Sequence, residues 1–131
     1  MEFSWYIEEG KGLYALLLRL ERAQEILIGK LGEFPFPAGM YIYIGSAWGA
    51  GGFQARLQRH LSRAGRNPGK MHWHIDYLLP FVYPEGVLLF PRWKCECALA
   101  ALVAALPGAS RFPPGFGASD CGCLGHLVLM R

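Results

Sequence analysis

Two apolar, strand-like runs carry the tripeptides Gly12-Leu13-Tyr14 and Tyr43-Ile44-Gly45, and Arg56 and His60 follow one helical turn apart. Within the second run, Tyr41 and Tyr43 share one face while Met40, Ile42 and Ile44 share the other, which predicts a strand with two hydroxyls on the same surface. The first run, Gly12 to Leu20, is rich in leucine and is bounded by the polar residues Glu21 to Gln24. Glu25 to Leu31 then resumes with Ile26 and Ile28 facing one way, so a hairpin is expected. Phe34-Pro35-Phe36-Pro37 is expected to be a loop, because two prolines remove ladder donors.

Gly49-Ala50-Gly51-Gly52 is too flexible for the interior of a helix or strand and reads as the turn into a helix from Phe53 to about Ala64. Along that helix Phe53, Leu57, Leu61 and Ala64 form one stripe, Arg56, Arg59 and Arg63 fall on a neighbouring face, and His60 lies between. Arg66-Asn67-Pro68-Gly69 reads as a turn, His72 to Leu79 as a short helix ended by Pro80, and Gly86 to Phe90 as a strand bounded by Pro84 and Pro91. Lys94 to Leu106 is expected to be a buried helix ended by Pro107-Gly108, Pro107 to Gly117 a loop, and His126 to Met130 a closing strand. The pattern predicts α+β: a small antiparallel or mixed sheet flanked by helices, in one domain spanning residues 1–131.

A chain of 131 residues that is 53% hydrophobic and 18% charged is long enough for one core and short for two. Its net charge of +3 is mild, but no Asp or Glu occurs between Phe34 and Ile75, where Arg56, Arg59, Arg63, Arg66 and Lys70 are found. That stretch suits a polyanion, against the plainer alternative of a solvated basic helix face. Glu2, Glu8 and Glu9 interrupt any secretory signal, and the uncharged run from Cys97 to Leu106 falls short of the about 20 residues needed to span a bilayer, so a cytoplasmic protein without a membrane segment is expected. The cysteines occur as Cys95-Glu96-Cys97 and Cys121-Gly122-Cys123, with His72, His74 and His126 elsewhere. The one-residue spacing is tighter than the roughly two to four common in structural zinc sites. Helix positions two apart also point to nearly opposite sides, so buried, reduced thiols are the expectation.

The ordered set of tripeptides, arginine and histidine resembles the GIY-YIG nuclease superfamily. The strings Ala38-Gly39-Met40-Tyr41-Ile42-Tyr43-Ile44-Gly45-Ser46-Ala47, His72-Trp73-His74-Ile75-Asp76-Tyr77 and Gly115-Phe116-Gly117-Ala118-Ser119-Asp120-Cys121 resemble its branch often called Uri-type endonucleases. The resemblance implies hydrolysis of a phosphodiester by one divalent ion, Mg2+ or Mn2+, held by a glutamate, with tyrosine, histidine and arginine around the scissile phosphate. Those residue types suit the chemistry, since attack on phosphate develops negative charge that a guanidinium and a metal stabilise. On this resemblance Arg56 is the arginine and His60 stands beside it. Tyr14 and Tyr43 are the motif tyrosines, although Gly39-Met40-Tyr41 is a second candidate for the first tripeptide, so which tyrosine takes a proton stays open and Tyr41 has a supporting role or packs. The superfamily's glutamate lies on a helix well after the arginine, and Glu96 opens such a helix; Asp76, among His72, His74 and Tyr77, is its rival.

Ser46, Arg59, Arg63, Arg66, Lys70 and Trp73 are the candidate nucleic-acid contacts, with His74 in support. Trp48 is a further candidate for stacking, whereas Phe53 is better placed in the core. The leading expectation is a DNA endonuclease acting in repair or recombination at damaged or branched structures. A non-catalytic nucleic-acid-binding module of the same fold is the alternative, and a small zinc-stabilised interaction protein is a third reading that rests on the cysteine pairs alone.

Overall fold

The leucine-rich strand β1 (Gly12–Leu20) is buried along nearly its whole length, as a strand is when both sheet faces are covered. In the computed structural model, which describes residues 7–66, 69–118 and 121–131, it does so by lying inside an antiparallel sheet. Its neighbours are β4 (Gly39–Ser46) and β5 (Tyr83–Pro91); β7 (Leu127–Met130) pairs with β4 and β6 (Ala109–Arg111) closes the far edge, giving the order β5-β1-β4-β7-β6. One face bears the large core, where Tyr14, Leu16 and Leu18 of β1 and Tyr41 and Tyr43 of β4 meet Phe53, Leu57 and Leu61 of helix α1 (Gly52–Arg63) and Ile75 and Leu78 of α2 (His74–Leu78). The other face is covered by α3 (Glu96–Ala104), whose Leu99 and Ala100 cover Leu13, Ala15 and Ile44. Burying side chains of this size stabilises the fold by about 1.5–3 kcal/mol each. The α+β expectation holds.

Several boundaries and pairings differ from the sequence reading. The expected hairpin between the first two strands does not form: β2 (Gln24–Ile28) pairs with β3 (Gly32–Phe36) in a separate ribbon. Both edges of β1 are taken, while β2 exposes Gln24, Glu25 and Leu27 and buries Ile26 and Ile28, so one-sided burial sends it elsewhere. Residues expected to form a loop, Phe34 to Phe36, belong to β3. This strand has a single partner, so Pro35 removes a donor the ribbon does not need. The same reasoning lets β5 run from Tyr83 to Pro91 through both prolines, because it is the sheet's edge. The expected loop from Pro107 to Gly117 contains β6.

The helix expected from Lys94 to Leu106 is shorter and is not a buried helix, since only Leu99 and Ala100 are buried and Leu102 is 62% exposed. It lies on the outer side of the sheet, and its apolar composition exceeds what one contact face can bury. Glu2, Asn67, Pro68, Ser119 and Asp120, each part of the sequence reading, lie outside the described residues. Among the described residues no helix is long and apolar enough to cross a membrane.

The two glycines of the tripeptides are demanded by close approach. Gly45 stands opposite Tyr14 in the β1–β4 register, and a Cβ there would run into the Tyr14 ring and hydroxyl. Gly12, opposite Pro91, leaves no room for a Cβ against the backbone of β5 at Phe90. Gly45→Ala is therefore expected to cost about 1–3 kcal/mol in urea unfolding. Gly49→Ala, where no atom lies within 4 Å of the added methyl, should stay within about 0.5 kcal/mol of the parent.

Candidate active site

Local backbone bonds fix helix α1 against the start of β1. Phe53 donates its N–H to the Gly10 carbonyl (2.8 Å), the Gln54 amide donates to Ile7 (3.1 Å), and Ala47, just past β4, donates to Gly12 (2.8 Å). This anchoring turns His60 inward, where it is fully buried and its Nε2 lies 2.7 Å from the Tyr14 hydroxyl. Tyr43 completes an aromatic triangle, with ring centroids 6.2 Å from Tyr14 and 6.0 Å from His60. Burial, reinforced by the guanidinium groups of Arg56 and Arg59, pushes the His60 imidazolium down to about 3, so the ring is neutral near pH 7. Burial also raises both tyrosines well above the ordinary phenol value, while the charge of Arg56 pulls each the other way.

In front of this triangle lies a cavity of about 510 Å³, lined among others by Tyr43, Ser46, Arg56, His74, Glu96 and His126. Of the residues the resemblance singles out, Tyr43, Arg56 and Glu96 thus reach one concavity, with Tyr14 and His60 directly behind it. Tyr41 does not join them: its hydroxyl donates to the Pro37 carbonyl at 2.5 Å and its ring is buried. It packs.

The second wall comes from residues 72–76. Trp73, 40% exposed, has the Arg56 guanidinium 4.4 Å and the Arg59 guanidinium 4.3 Å from its ring centroid. Cation–π attraction holds both arginines on one ring. The repulsion between them is relieved by Asp76, which accepts a forked pair of bonds from Arg59 at 2.7 and 2.9 Å. Asp76 also accepts from the backbone N–H of His72 (2.7 Å) and Trp73 (3.0 Å). Its burial acts to raise its pKa, yet the Arg59 and backbone hydrogen bonds outweigh that and hold the carboxyl down at about 2. Asp76 is thus the strut between this segment and α1, and Arg59 turns both terminal nitrogens toward it rather than outward. His74 ties the wall to the third motif by accepting at Nδ1 from the Gly117 N–H (2.8 Å). The two later motif strings therefore meet at the cavity lining.

Farther out, Arg63 donates to the Lys70 carbonyl at 2.7 Å, and Arg66 and Lys70 are exposed. The Trp48 indole donates to the Trp93 carbonyl at 2.8 Å. The thiols depart from expectation: Cys95 and Cys121 are exposed and Cys97 and Cys123 half-buried, so they are reduced but not core residues. Cys97, Cys121, Cys123 and His126 present ligand atoms all within 4.8 Å of one another. The spacing argument concerned a helix; Cys95 stays out of the cluster but precedes α3 with φ +71°, so the argument does not apply to it. Nor does it reach Cys121 and Cys123, which sit in a loop where Gly122 has φ +69°.

The neutral His60 has a stability consequence of definite sign. Between its folded value of about 3 and its ordinary value of 6.5, the unfolded chain binds a proton that the folded chain does not. Stability from this group is therefore complete above 6.5 and is lost as the pH falls through that window. At about pH 5 the loss is on the order of 2 kcal/mol. His60→Gln should flatten the decline in urea-unfolding free energy between about pH 7.5 and 5 by that amount.

A family model described as "Domain of unknown function DUF123" matches residues 13–131, from the second residue of β1 through the whole cavity. No curated protein and no solved structure matches the chain. With nearly all of its length matched, the chain belongs to the family of domain of unknown function DUF123.

Proposed function

We propose that this protein is a metal-dependent endonuclease of the GIY-YIG type, of the Uri-type branch, hydrolysing phosphodiester bonds in DNA. The observation that carries the reading is the meeting of a guanidinium (Arg56), a phenol (Tyr43) and a carboxylate (Glu96) at one cavity backed by the buried Tyr14–His60 pair. Glu96 opens α3 and is the acid among the described lining residues. A single hard carboxylate suits Mg2+ or Mn2+, which fill the rest of their shell with water and phosphate oxygens. Glu96 would hold the ion, which when bound supplies positive charge to the phosphate and acidifies nearby water.

The chain's own groups supply the remainder. Arg56 is left to the phosphate because Asp76 takes up Arg59, and Trp73 holds its guanidinium in place before substrate arrives, the preorganisation that makes charge stabilisation effective. Tyr43, its phenol kept protonated by burial, donates to a non-bridging oxygen, and Ser46 can donate beside it. Of the two motif tyrosines, Tyr43 is the one that lines the cavity, which supports it over Tyr14 as the phenol that touches the substrate. Tyr14 and His60 are hydrogen-bonded at 2.7 Å and orient Tyr43 from behind. Exposed Arg66 and Lys70 extend a basic surface suited to the flanking backbone of a nucleic acid. Reduced cysteines fit a reducing compartment, and the cytoplasm is the location proposed.

Single-turnover cleavage of labelled single-stranded, duplex, branched and uracil-containing DNA with Mg2+ or Mn2+ tests the reading. Arg56→Ala should lose about 100-fold or more in rate with little change in binding, since it removes charge stabilisation that grows in the transition state. Glu96→Gln should abolish hydrolysis while the protein still folds and binds DNA. A parent protein that binds DNA but cleaves none of these substrates would reject the enzyme in favour of a binding module.

The basic surface has its own readout. Replacing Arg66 and Lys70 together with alanine should lessen the slope of log affinity against log salt by about 0.7–0.9 for each phosphate no longer neutralised. An unchanged slope would mark that face as merely solvated.

A further inference from the structure

In the wall of the cavity, which Cys97, Cys121 and His126 line, three sulfurs and one imidazole nitrogen gather from two segments far apart in sequence. Cys97 comes from the first turn of α3, and Cys121, Cys123 and His126 from the loop that leads into β7. The His126 Nε2 lies 3.5 Å from the Cys97 sulfur and 3.5 Å from the Cys121 sulfur. In a tetrahedral site with Zn–S of about 2.3 Å and Zn–N of about 2.0–2.1 Å, sulfur and nitrogen stand about 3.5 Å apart. These two sulfur–nitrogen spacings match that geometry, and all four ligand atoms lie within 4.8 Å of one another. No disulfide joins these thiols, and a set of three thiolates and one imidazole selects a soft or borderline ion over magnesium or calcium.

We propose that Cys97, Cys121, Cys123 and His126 bind one zinc ion. Four protein ligands close the coordination sphere, so the site is structural and leaves no position for substrate. Binding releases the thiol protons, one for each cysteine that enters as a thiolate, and leaves the centre with a net charge of about −1. Arg111, whose charge is felt at both Cys123 and His126, supplies the counter-charge. With Nε2 on the metal, His126 keeps Nδ1, which faces Glu96 at 3.6 Å. That is the carboxylate partner commonly found behind a metal-bound histidine. The zinc therefore fastens the start of α3 to the loop before β7 and sets the orientation of Glu96 at the cavity; the value of that orientation for cleavage, though not the zinc site itself, rests on the function proposed above.

The test is metal analysis of the purified, reduced full chain, followed by cobalt titration after chelation. One zinc per chain is expected, with intense thiolate-to-cobalt charge-transfer bands and the visible bands of a tetrahedral ion. Cys95→Ser should keep both. Cys97→Ser and Cys123→Ser should each weaken binding by about 10-fold or more, and Glu96→Gln should do so by about 10–100-fold, the usual effect of losing an outer partner. If a cysteine variant fails to fold, the parent decides: added zinc should restore the melting temperature of chelated protein. A reduced parent that carries no zinc, shows no cobalt charge transfer and melts alike with and without zinc would overturn the site, as would a Cys97–Cys121 or Cys97–Cys123 disulfide in protein isolated without reductant. Unchanged zinc retention in Glu96→Gln would overturn the link to Glu96. None of these readouts uses DNA, so failure of the zinc site and failure of the nuclease reading are separate results.

Discussion

The hydrogen bond between Tyr14 and His60 ties β1 to α1, and Tyr43 of β4 packs on both rings. Tyr14 reaches the imidazole because β4 offers Gly45 opposite it, and His60 meets it because the first turn of α1 is bonded to Gly10 and Ile7 ahead of β1. A larger residue at position 45 would push the ring aside, and a shift of α1 along the sheet would leave the phenol buried without a partner, at a cost of about 1–3 kcal/mol. The cavity inherits its back wall from this contact, since Tyr43 packs on both rings.

In front of that wall, charge is arranged rather than accumulated. Two guanidinium groups share the Trp73 ring, but Asp76 answers only one of them. The outcome is one arginine bound to a carboxylate and one held on the ring at the cavity. Segregation of this kind is a means by which a protein keeps a cation available in a partly buried place, where an isolated charge would otherwise draw in the nearest acid.

Elements whose residues speak for themselves were legible in the sequence. The alternation from Met40 to Ile44 and the stripe of Phe53, Leu57 and Leu61 appear as a strand and a helix facing the same core. The meeting of Tyr43, Arg56 and Glu96 at one cavity, with Tyr14 and His60 behind it, was expected from the resemblance of the motifs and not from the pattern of any one element. What could not be read were facts about neighbours. Pro35 and Pro84 are acceptable only because their strands have one open side, which depends on the order of strands in the sheet. Arg59 resembles Arg56 in sequence and differs only through Asp76, 17 residues away. Cys97 and Cys121 are brought together by the crossing of α3 over the sheet, and the one-residue spacers on either side carry no trace of it.

Strand order has one more outcome. The strand latest in sequence, β7, is inserted between β4 and β6 and is not added at an edge. A chain still being made therefore holds β4 with one side unpaired until residues 127–130 emerge, and the segment that supplies His126 and the Gly117 N–H bonded to His74 can settle only then. Contacts this distant in sequence form slowly. The basic helix is complete long before the acid and thiol side of the cavity, so a partly synthesised chain would carry the cationic half of the cavity without the groups that close it.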